Sequence, residues 1–266
     1  MQTAQMMHGN LGIVFESGIA TLTLSNSAKR NAVTTAMWRA ILKFSGSMAG
    51  RKDVRAVIVQ GEGDLAFSSG ADISEFAELR SRAHNAREYD DLVEDACSAF
   101  ESISQPTIAL IKGACVGAGV SLALSCDLRV ADQKAFLALP AADLGLGYDL
   151  RGIARLVRVL GASVARHVVL TGEHLQANRA FELGAIHAVA PEHEASLVAR
   201  KLARTLAAKA PLTICAAKAA IGAIVSGVPE LHYKAAELYA AANESADYEE
   251  GRRAFLEKRS PRFSGG

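Results

Sequence analysis

Apolar and polar positions along the chain change period several times, and the changes mark out its elements. Leu11 to Glu16 and Ile19 to Leu24 alternate as paired strands do, with Ser17-Gly18 as the turn between them. Two further runs, Arg55 to Gln60 (RAVIVQ) and Thr107 to Ile111 (TIALI), are apolar and rich in β-branched residues, the pattern of buried strands; Pro106 introduces the second. Leu128 to Ala131 and Ala135 to Ala138 also read as strands. Helical spacing begins after the polar loop SNSAKRN, where Thr34 or Thr35 caps a helix through Ile41 and Phe44 to Met48. Asp72 to Ser104 reads as charged and helical, a mixed-sign surface of Arg80, Arg82, Arg87, Glu88, Asp90, Asp91 and Glu94 with His84 in its middle. Helices are expected at about Gly152 to Leu160, Ser163 to Leu170 and Gln176 to Leu183. From Glu192 onward only helices follow, divided at Pro211 and at Gly227-Val228-Pro229.

Strands alternating with helices through Val189 predict an α/β core with right-handed crossovers over residues 1–190. Residues 191–266 predict a helical region, rich in Ala and Leu, that must bury its apolar faces on the core or on another subunit. No Pro-, Gly- or Ser-rich linker separates the two, and no internal repeat is present.

The formal charge is +1 over 266 residues, which argues against binding nucleic acid or a membrane surface through bulk electrostatics. Half of the residues are apolar, yet no run approaches the roughly 20 that cross a bilayer. MQTAQMMHGN lacks the basic start and apolar centre of a signal peptide and reads as a loose lead-in, so a cytoplasmic protein is expected. Cys97, Cys115, Cys126 and Cys215 show no CxxC spacing and read as small core residues in a reducing compartment. The seven histidines form no metal-ligand pattern, and no metal is implied.

The candidate chemistry lies in two glycine turns. Lys112 to Asp127 (KGACVGAGVSLALSCD) follows the strand 107–111, carries Gly113, Gly117 and Gly119, and opens a helix at Val120. Ala66 to Ile73 (AFSSGADI) follows the other buried strand and again places a glycine before a helix. Glycine lets the backbone approach a ligand, and the first N–H groups of a helix have no intrahelical partner. Two such turns can each supply one N–H to a single oxygen carrying or developing negative charge, as an oxyanion hole does. Each turn by itself serves equally well as an ordinary strand-to-helix connection.

These two segments, together with LTGEHLQANRAFELGAIHAV and the tail ESADYEEGRRAFLEKRSPRF, resemble the crotonase, or enoyl-CoA hydratase/isomerase, superfamily in the same order, from about Gly18 to Phe263. The resemblance implies a spiral of ββα units carrying the acyl-CoA site, with a C-terminal helical region that forms a trimer or a pair of trimers. It implies an acyl-CoA thioester as substrate, no cofactor beyond the coenzyme A that the substrate carries, and an enolate held by the N–H groups of Ala71 and Gly117. It also assigns coenzyme A or substrate contacts to Lys29, Arg30 and Ala32, to Ser69, Gly70, Asp72 and Ile73, to Ser121 and Pro140, and to Phe255 and Lys258 reaching a neighbouring subunit. Lys29 and Arg30, candidates for the nucleotide phosphates, read equally as solvated loop charges.

The chain departs from the hydratases at the acid/base positions. Where a hydratase-like site has one glutamate within GAGVS and another after the proline of LPA, this chain has Ser121 and Ala141, neither of which serves as a carboxylate acid or base. In the loop LGLGYDLR, Asp149 matches the working aspartate of dienoyl-CoA isomerases and chlorobenzoyl-CoA dehalogenases, and Tyr148 the tyrosine of methylmalonyl-CoA decarboxylases. Asp149 facing an apolar acyl pocket would be desolvated, with a raised pKa suited to a general base; immediately before a helix it is also a good N-cap. Glu75 and Glu78 read as exposed helix charges, with reach into the pocket as the alternative. Double-bond isomerisation needs one group working at two carbons and is the expected reaction, with Asp149 moving the proton; hydration, decarboxylation through Tyr148 and a non-catalytic acyl-CoA-binding protein are the alternatives.

Overall fold

The computed structural model describes residues 4–8, 10–75 and 83–266. Its strands are β1 (Ala4–His8), β2 (Leu11–Glu16), β3 (Ile19–Leu24), β4 (Ala56–Gly61), β5 (Ala66–Ser68), β6 (Thr107–Ile111), β7 (Ala114–Val116), β8 (Leu128–Asp132), β9 (Phe136–Ala138), β10 (Leu175–Gln176) and β11 (Ala188–Ala190). The described α-helices are α1 (Thr35–Ser47), α2 (Ala83–Glu101), α3 (Ala118–Leu124), α4 (Leu150–Thr171), α5 (Ala177–Glu182), α6 (Ala195–Ala207), α7 (Pro211–Ser226), α8 (Pro229–Asn243) and α9 (Ala246–Leu256).

One sheet runs in the order β1-β2-β3-β4-β6-β8-β11 and a second in the order β10-β9-β7-β5. β4, β6 and β8 are parallel neighbours in the large sheet. Each is followed at once by a short strand of the small sheet, β5, β7 or β9, which are parallel neighbours in turn. β7 leads into α3, and β9 leads through a loop into α4. The repeating unit is therefore strand, strand, helix, and the chain winds as a spiral of ββα turns. At its start β2 and β3 form a hairpin whose turn, Ser17 (φ 52°) and Gly18 (φ 77°), has the twist that such hairpins need.

The buried strands lack alternation because both faces of the large sheet are covered. Val57, Val59, Ala109 and Ile111 join the main core with Leu22, Met37, Trp38, Phe67 and Phe100. Ala56, Ile58, Ile108, Leu110 and Val130 pack on the other face against Ala195, Ala199 and Ala203, one stripe of α6. Burying a Val, Ile or Leu side chain contributes about 1.5–3 kcal/mol. The three cysteines Cys97, Cys115 and Cys126 are buried, and burial pushes the Cys97 thiol up to about 12, which leaves it an inert core group.

Three features differ from the sequence expectation. Residues 4–8, read as a loose lead-in, form an edge strand paired antiparallel with β2; AQMMH does not alternate apolar and polar positions, so its pairing along one edge gives no sequence signal. The strands β5, β7 and β10 have three, three and two residues, too few to establish a period. The helices expected at 152–160 and 163–170 are the two halves of α4, divided by Gly161 (φ 74°, ψ 155°).

No single described helix is long and apolar enough to cross a membrane. α7 and α8 pack chiefly on each other and leave Ile221, Ile224, Val225, Tyr233 and Tyr239 exposed.

Candidate active site

A cleft of about 490 Å³ opens where the two glycine turns, α2 and the loop before α4 converge. Its wall is mostly apolar, with a few polar groups aimed inward, as in pockets that hold a small organic ligand. Ala71, Gly117, Ala118, Ser121, Ala141, Tyr148 and Asp149 all line it, as do Lys29, Ala32, Ser69, Gly70, Asp72, Ile73 and Pro140. Arg30, Phe255 and Lys258 do not; Phe255 is 83% exposed at the end of α9.

Backbone bonding decides which N–H groups face this cleft. After β5, Gly70 O accepts from Val33 N at 2.8 Å and Asp72 N donates to Val33 O at 3.1 Å, which fixes the turn on both sides of Ala71. The Ala71 N–H itself makes no hydrogen bond among the described residues. After β7, the Gly117 N–H donates to Ala138 O at 2.9 Å, continuing the β7–β9 ladder by one rung. Ala118 follows as the first residue of α3, and its N–H has no partner among the described residues. The expected donor pair of Ala71 and Gly117 is thus corrected to Ala71 and Ala118, because the sheet consumes the glycine's N–H. Each free donor follows a glycine at positive φ, Gly70 at 98° and Gly117 at 54°, a conformation that aims the next peptide away from the strand. The turns are adjacent: a methyl group added at Gly70 would stand 3.6 Å from Ala118 N.

The carboxylates of the cleft are not equivalent. Asp149 is the N-cap of α4, its Oδ1 accepting from Arg151 N at 2.8 Å. The Arg151 guanidinium holds both oxygens, at 2.9 and 3.1 Å, and also reaches Asp91 at 2.6 Å. These hydrogen bonds, led by the Arg151 side chain, outweigh partial burial and hold the Asp149 carboxyl below the usual carboxylate range. The expectation of a desolvated base with a raised pKa is corrected: the side chain that caps the helix is also neutralised by an arginine two residues on.

Asp72 is likewise engaged. Lys29 Nζ lies 2.8 and 3.1 Å from its oxygens and 2.7 Å from Ser74 Oγ. Burial opposes the charge on Asp72, but the Lys29 and Ser74 hydrogen bonds outweigh it and its pKa is lowered. Glu75 does not line the cleft; it accepts from Thr35 N and Thr35 Oγ1 at 2.8 Å each at the start of α1. Glu78 and the His84 side chain lie outside the described residues.

Tyr148 is half-buried and lines the cleft together with Ser121. Burial is the main cause that pushes its pKa far up, so the phenol is a neutral donor throughout the working range. Glu94, read from sequence as one charge of a mixed surface, is instead 4% exposed and lines the cleft. Its Oε2 accepts from Arg155 Nη1 at 2.9 Å, and Arg155 is itself 2% exposed. The signal was its place beside the stripe Val93, Cys97 and Phe100, whose i, i+4, i+7 spacing marks the inward face of α2.

Residues 14–266 match the family model described as enoyl-CoA hydratase/isomerase. The chain is 31% identical over 252 residues to the 2,3-dehydroadipyl-CoA hydratase of Escherichia coli, covering 93% of this chain and 95% of that protein. It is 28% identical over 262 residues to the crotonyl-CoA hydratase of Syntrophomonas wolfei, covering 97% and 99%. Among solved structures, an enoyl-CoA hydratase/carnithine racemase from Magnetospirillum magneticum superposes with a TM-score of 0.93 at 31% identity, covering 98% of this chain and 97% of that one. On this match over nearly its whole length, in sequence and in fold, the chain belongs to the enoyl-CoA hydratase/isomerase family.

Proposed function

We propose that the cleft binds an acyl-CoA thioester with its carbonyl oxygen on the N–H groups of Ala71 and Ala118, and that the enzyme isomerises a double bond through the enolate this pair stabilises. The observation that carries the reading is the pair of backbone donors, Ala71 N–H and Ala118 N–H, left without a partner among the described residues in one apolar cleft, while Gly70, Asp72 and Gly117 beside them donate theirs within the protein. Such donors act most strongly where water is excluded and where the oxygen's charge develops during reaction.

The names of the relatives point to hydration. Adding water across a double bond requires one group to activate the water and one to protonate carbon, and the positions of the two hydratase glutamates hold Ser121 and Ala141. Isomerisation moves one proton between two carbons of the substrate, needs one carboxylate and uses no cofactor. A second reading, decarboxylation, is favoured by Tyr148: a neutral phenol beside Ser121 can hold a substrate carboxylate without transferring a proton.

Incubation with β,γ- and α,β-unsaturated, β-hydroxy and malonyl-type CoA esters, with products identified by mass spectrometry, tests these readings together. Interconversion of the two enoyl esters is expected. Formation of the β-hydroxyacyl ester from the α,β-enoyl ester, without isomer, would show a hydratase and remove the proposal.

Assembly belongs to the same reading. The apolar side chains exposed along α7 and α8 form a surface suited to a second and third copy of the chain, in a trimer or a pair of trimers. Phe255 and Lys258, exposed at the end of α9, are then placed to meet a neighbour's coenzyme A.

A further inference from the structure

We propose that Glu94 carries the proton in this cleft, with Arg155 as the residue that positions it. The inference rests on the acyl-CoA reading above and names the group that the reading requires. Three observations converge on it. Glu94 is more than nine-tenths buried and lines the cleft between Val93 and the loop bearing Tyr148. Only Oε2 is engaged, by Arg155 Nη1 at 2.9 Å, whereas Oε1 accepts no hydrogen bond among the described residues. That oxygen points toward the start of α4: a methyl group added at Gly152 would stand 3.0 Å from Oε1 and 3.2 Å from Tyr148 Cε1.

Pairing with Arg155 does not by itself account for this carboxylate. Arg155 already has a partner in Glu101, whose Oε1 accepts from Arg155 Nε at 2.8 Å and from Arg158 Nη2 at 2.9 Å. Glu94 is thus a second carboxylate on the same arginine, with one oxygen that the pairing does not use. Asp72 and Asp149 have both oxygens committed, to Lys29 and Ser74 and to Arg151. Asp90, one turn before Glu94 on α2, also lines the cleft but is only half-buried.

The chemistry balances within the substrate. Glu94 Oε1 takes the α-proton of a β,γ-enoyl thioester. The C–H electron pair becomes conjugated with the β,γ double bond and the thioester carbonyl, whose oxygen receives the negative charge facing Ala71 N–H and Ala118 N–H. Glu94 then returns the same proton to the γ-carbon, the double bond settles between the α- and β-carbons, and the carboxylate is regenerated. No water, oxidant or reductant enters. Arg155, permanently charged and held on its far side by Glu101, keeps Oε2 fixed and leaves Oε1 to the substrate.

The test uses the full-length wild type, Glu94→Gln and Glu94→Asp, with β,γ-hexenoyl-CoA for turnover in heavy water and hexanoyl-CoA for calorimetric binding. The amide keeps the shape and a contact with Arg155 but accepts no proton, so kcat should fall by about 100-fold or more with hexanoyl-CoA affinity within about threefold. Aspartate keeps the charge and withdraws the oxygen by one methylene, so it should give an intermediate kcat with unchanged affinity. Wild-type turnover in either variant assigns Glu94 to structure and overturns the proposal. If Glu94→Gln fails to fold, Glu94→Asp decides alone: a lowered kcat at unchanged affinity and melting temperature supports the role, and a wild-type kcat ends it. A wild type that binds hexanoyl-CoA yet neither isomerises the enoyl ester nor exchanges its protons also overturns Glu94 as proton carrier. A wild type that does not bind hexanoyl-CoA overturns the acyl-CoA reading itself.

Discussion

Replacing Ala118 with proline removes one proposed oxyanion donor at little structural cost. Ala118 is the first residue of α3, so its N–H lies outside the helix ladder and no backbone hydrogen bond is lost. The ring has no helical carbonyl four residues back to collide with, because Ala114 is in β7. The residue before a proline is pushed to extended conformations, and Gly117 at φ 54°, ψ −121° is the mirror image of one, equally open to glycine. Losing a single oxyanion donor costs about 2.7–4 kcal/mol of transition-state stabilisation, a roughly 100- to 1000-fold drop in kcat. Ala118→Gly, which keeps the N–H, should stay within about tenfold, the effect of 1.4 kcal/mol, because it changes only helix propensity and one methyl contact. Turnover of β,γ-hexenoyl-CoA gives the rate, and the infrared carbonyl stretch of bound, isotope-labelled hexanoyl-CoA reports the hydrogen bond without needing turnover. The stretch should move back toward its value in an apolar solvent when the donor is gone. A proline variant that melts with the wild type, keeps its carbonyl shift and turns over at the wild-type rate would refute the assignment.

Other perturbations separate structure from chemistry. Asp149→Asn retains the cap and loses an ion pair worth about 0–1 kcal/mol, so urea unfolding and turnover should both change little; a roughly 100-fold loss of rate at unchanged stability would return Asp149 to the chemistry. Asp149→Ala, without the cap, should cost about 0.5–2 kcal/mol in the same unfolding experiment. The lowered pKa of Asp72 means that its pairing stabilises the fold fully above the unfolded carboxylate value of about 3.9, and the contribution is lost as pH falls through the lower folded value. Asp72→Asn should therefore flatten the acid limb of the melting temperature below about pH 4, and an unchanged limb would assign it to other carboxylates. Ile224→Glu, which places a charge on the exposed apolar face of α7, should shift light scattering from trimer or hexamer to monomer; a wild type that is already monomeric at micromolar concentration removes the proposed assembly.

The legible parts of this chain were those with a local cause. β2, β3 and their turn, β6, and the helices bounded by Pro211 and Pro229 follow from period and from residues that stop or start elements. Of the two cap candidates before the apolar stripe, Thr34 is the one that caps α1, accepting from Met37 N at 3.2 Å. What the sequence hid depends on partners distant along the chain. Whether Gly117 or Ala118 has the free N–H is decided by Ala138, whose carbonyl lies across the small sheet. Whether Asp149 is a base or an ion-paired cap is decided by the reach of Arg151 to it and to Asp91 on α2.

Glu94 shows the same limit from the other side. Beside Asp90, Asp91 and Asp95 it looks like one more solvated helix charge, and only packing against α4 makes it a buried partner of Arg155. The two kinds of residue carry different parts of the function. Backbone donors at Ala71 and Ala118 come with the ββα winding and its glycine turns, which leave two N–H groups without a partner among the described residues of this chain. The proton-moving group has no such fixed place, because a carboxylate can reach the same cavity from α2, α3 or the loop before α4. With Ser121 on α3 and Ala141 in the loop unable to titrate, and Asp149 held by Arg151, the wall formed by α2 carries a carboxylate, Glu94, with an oxygen that accepts no hydrogen bond among the described residues. If Glu94 carries the proton, the chemistry of this cleft differs from the two-glutamate arrangement by a carboxylate moved from α3 and the loop before α4 to α2, where the buried Arg155 holds it.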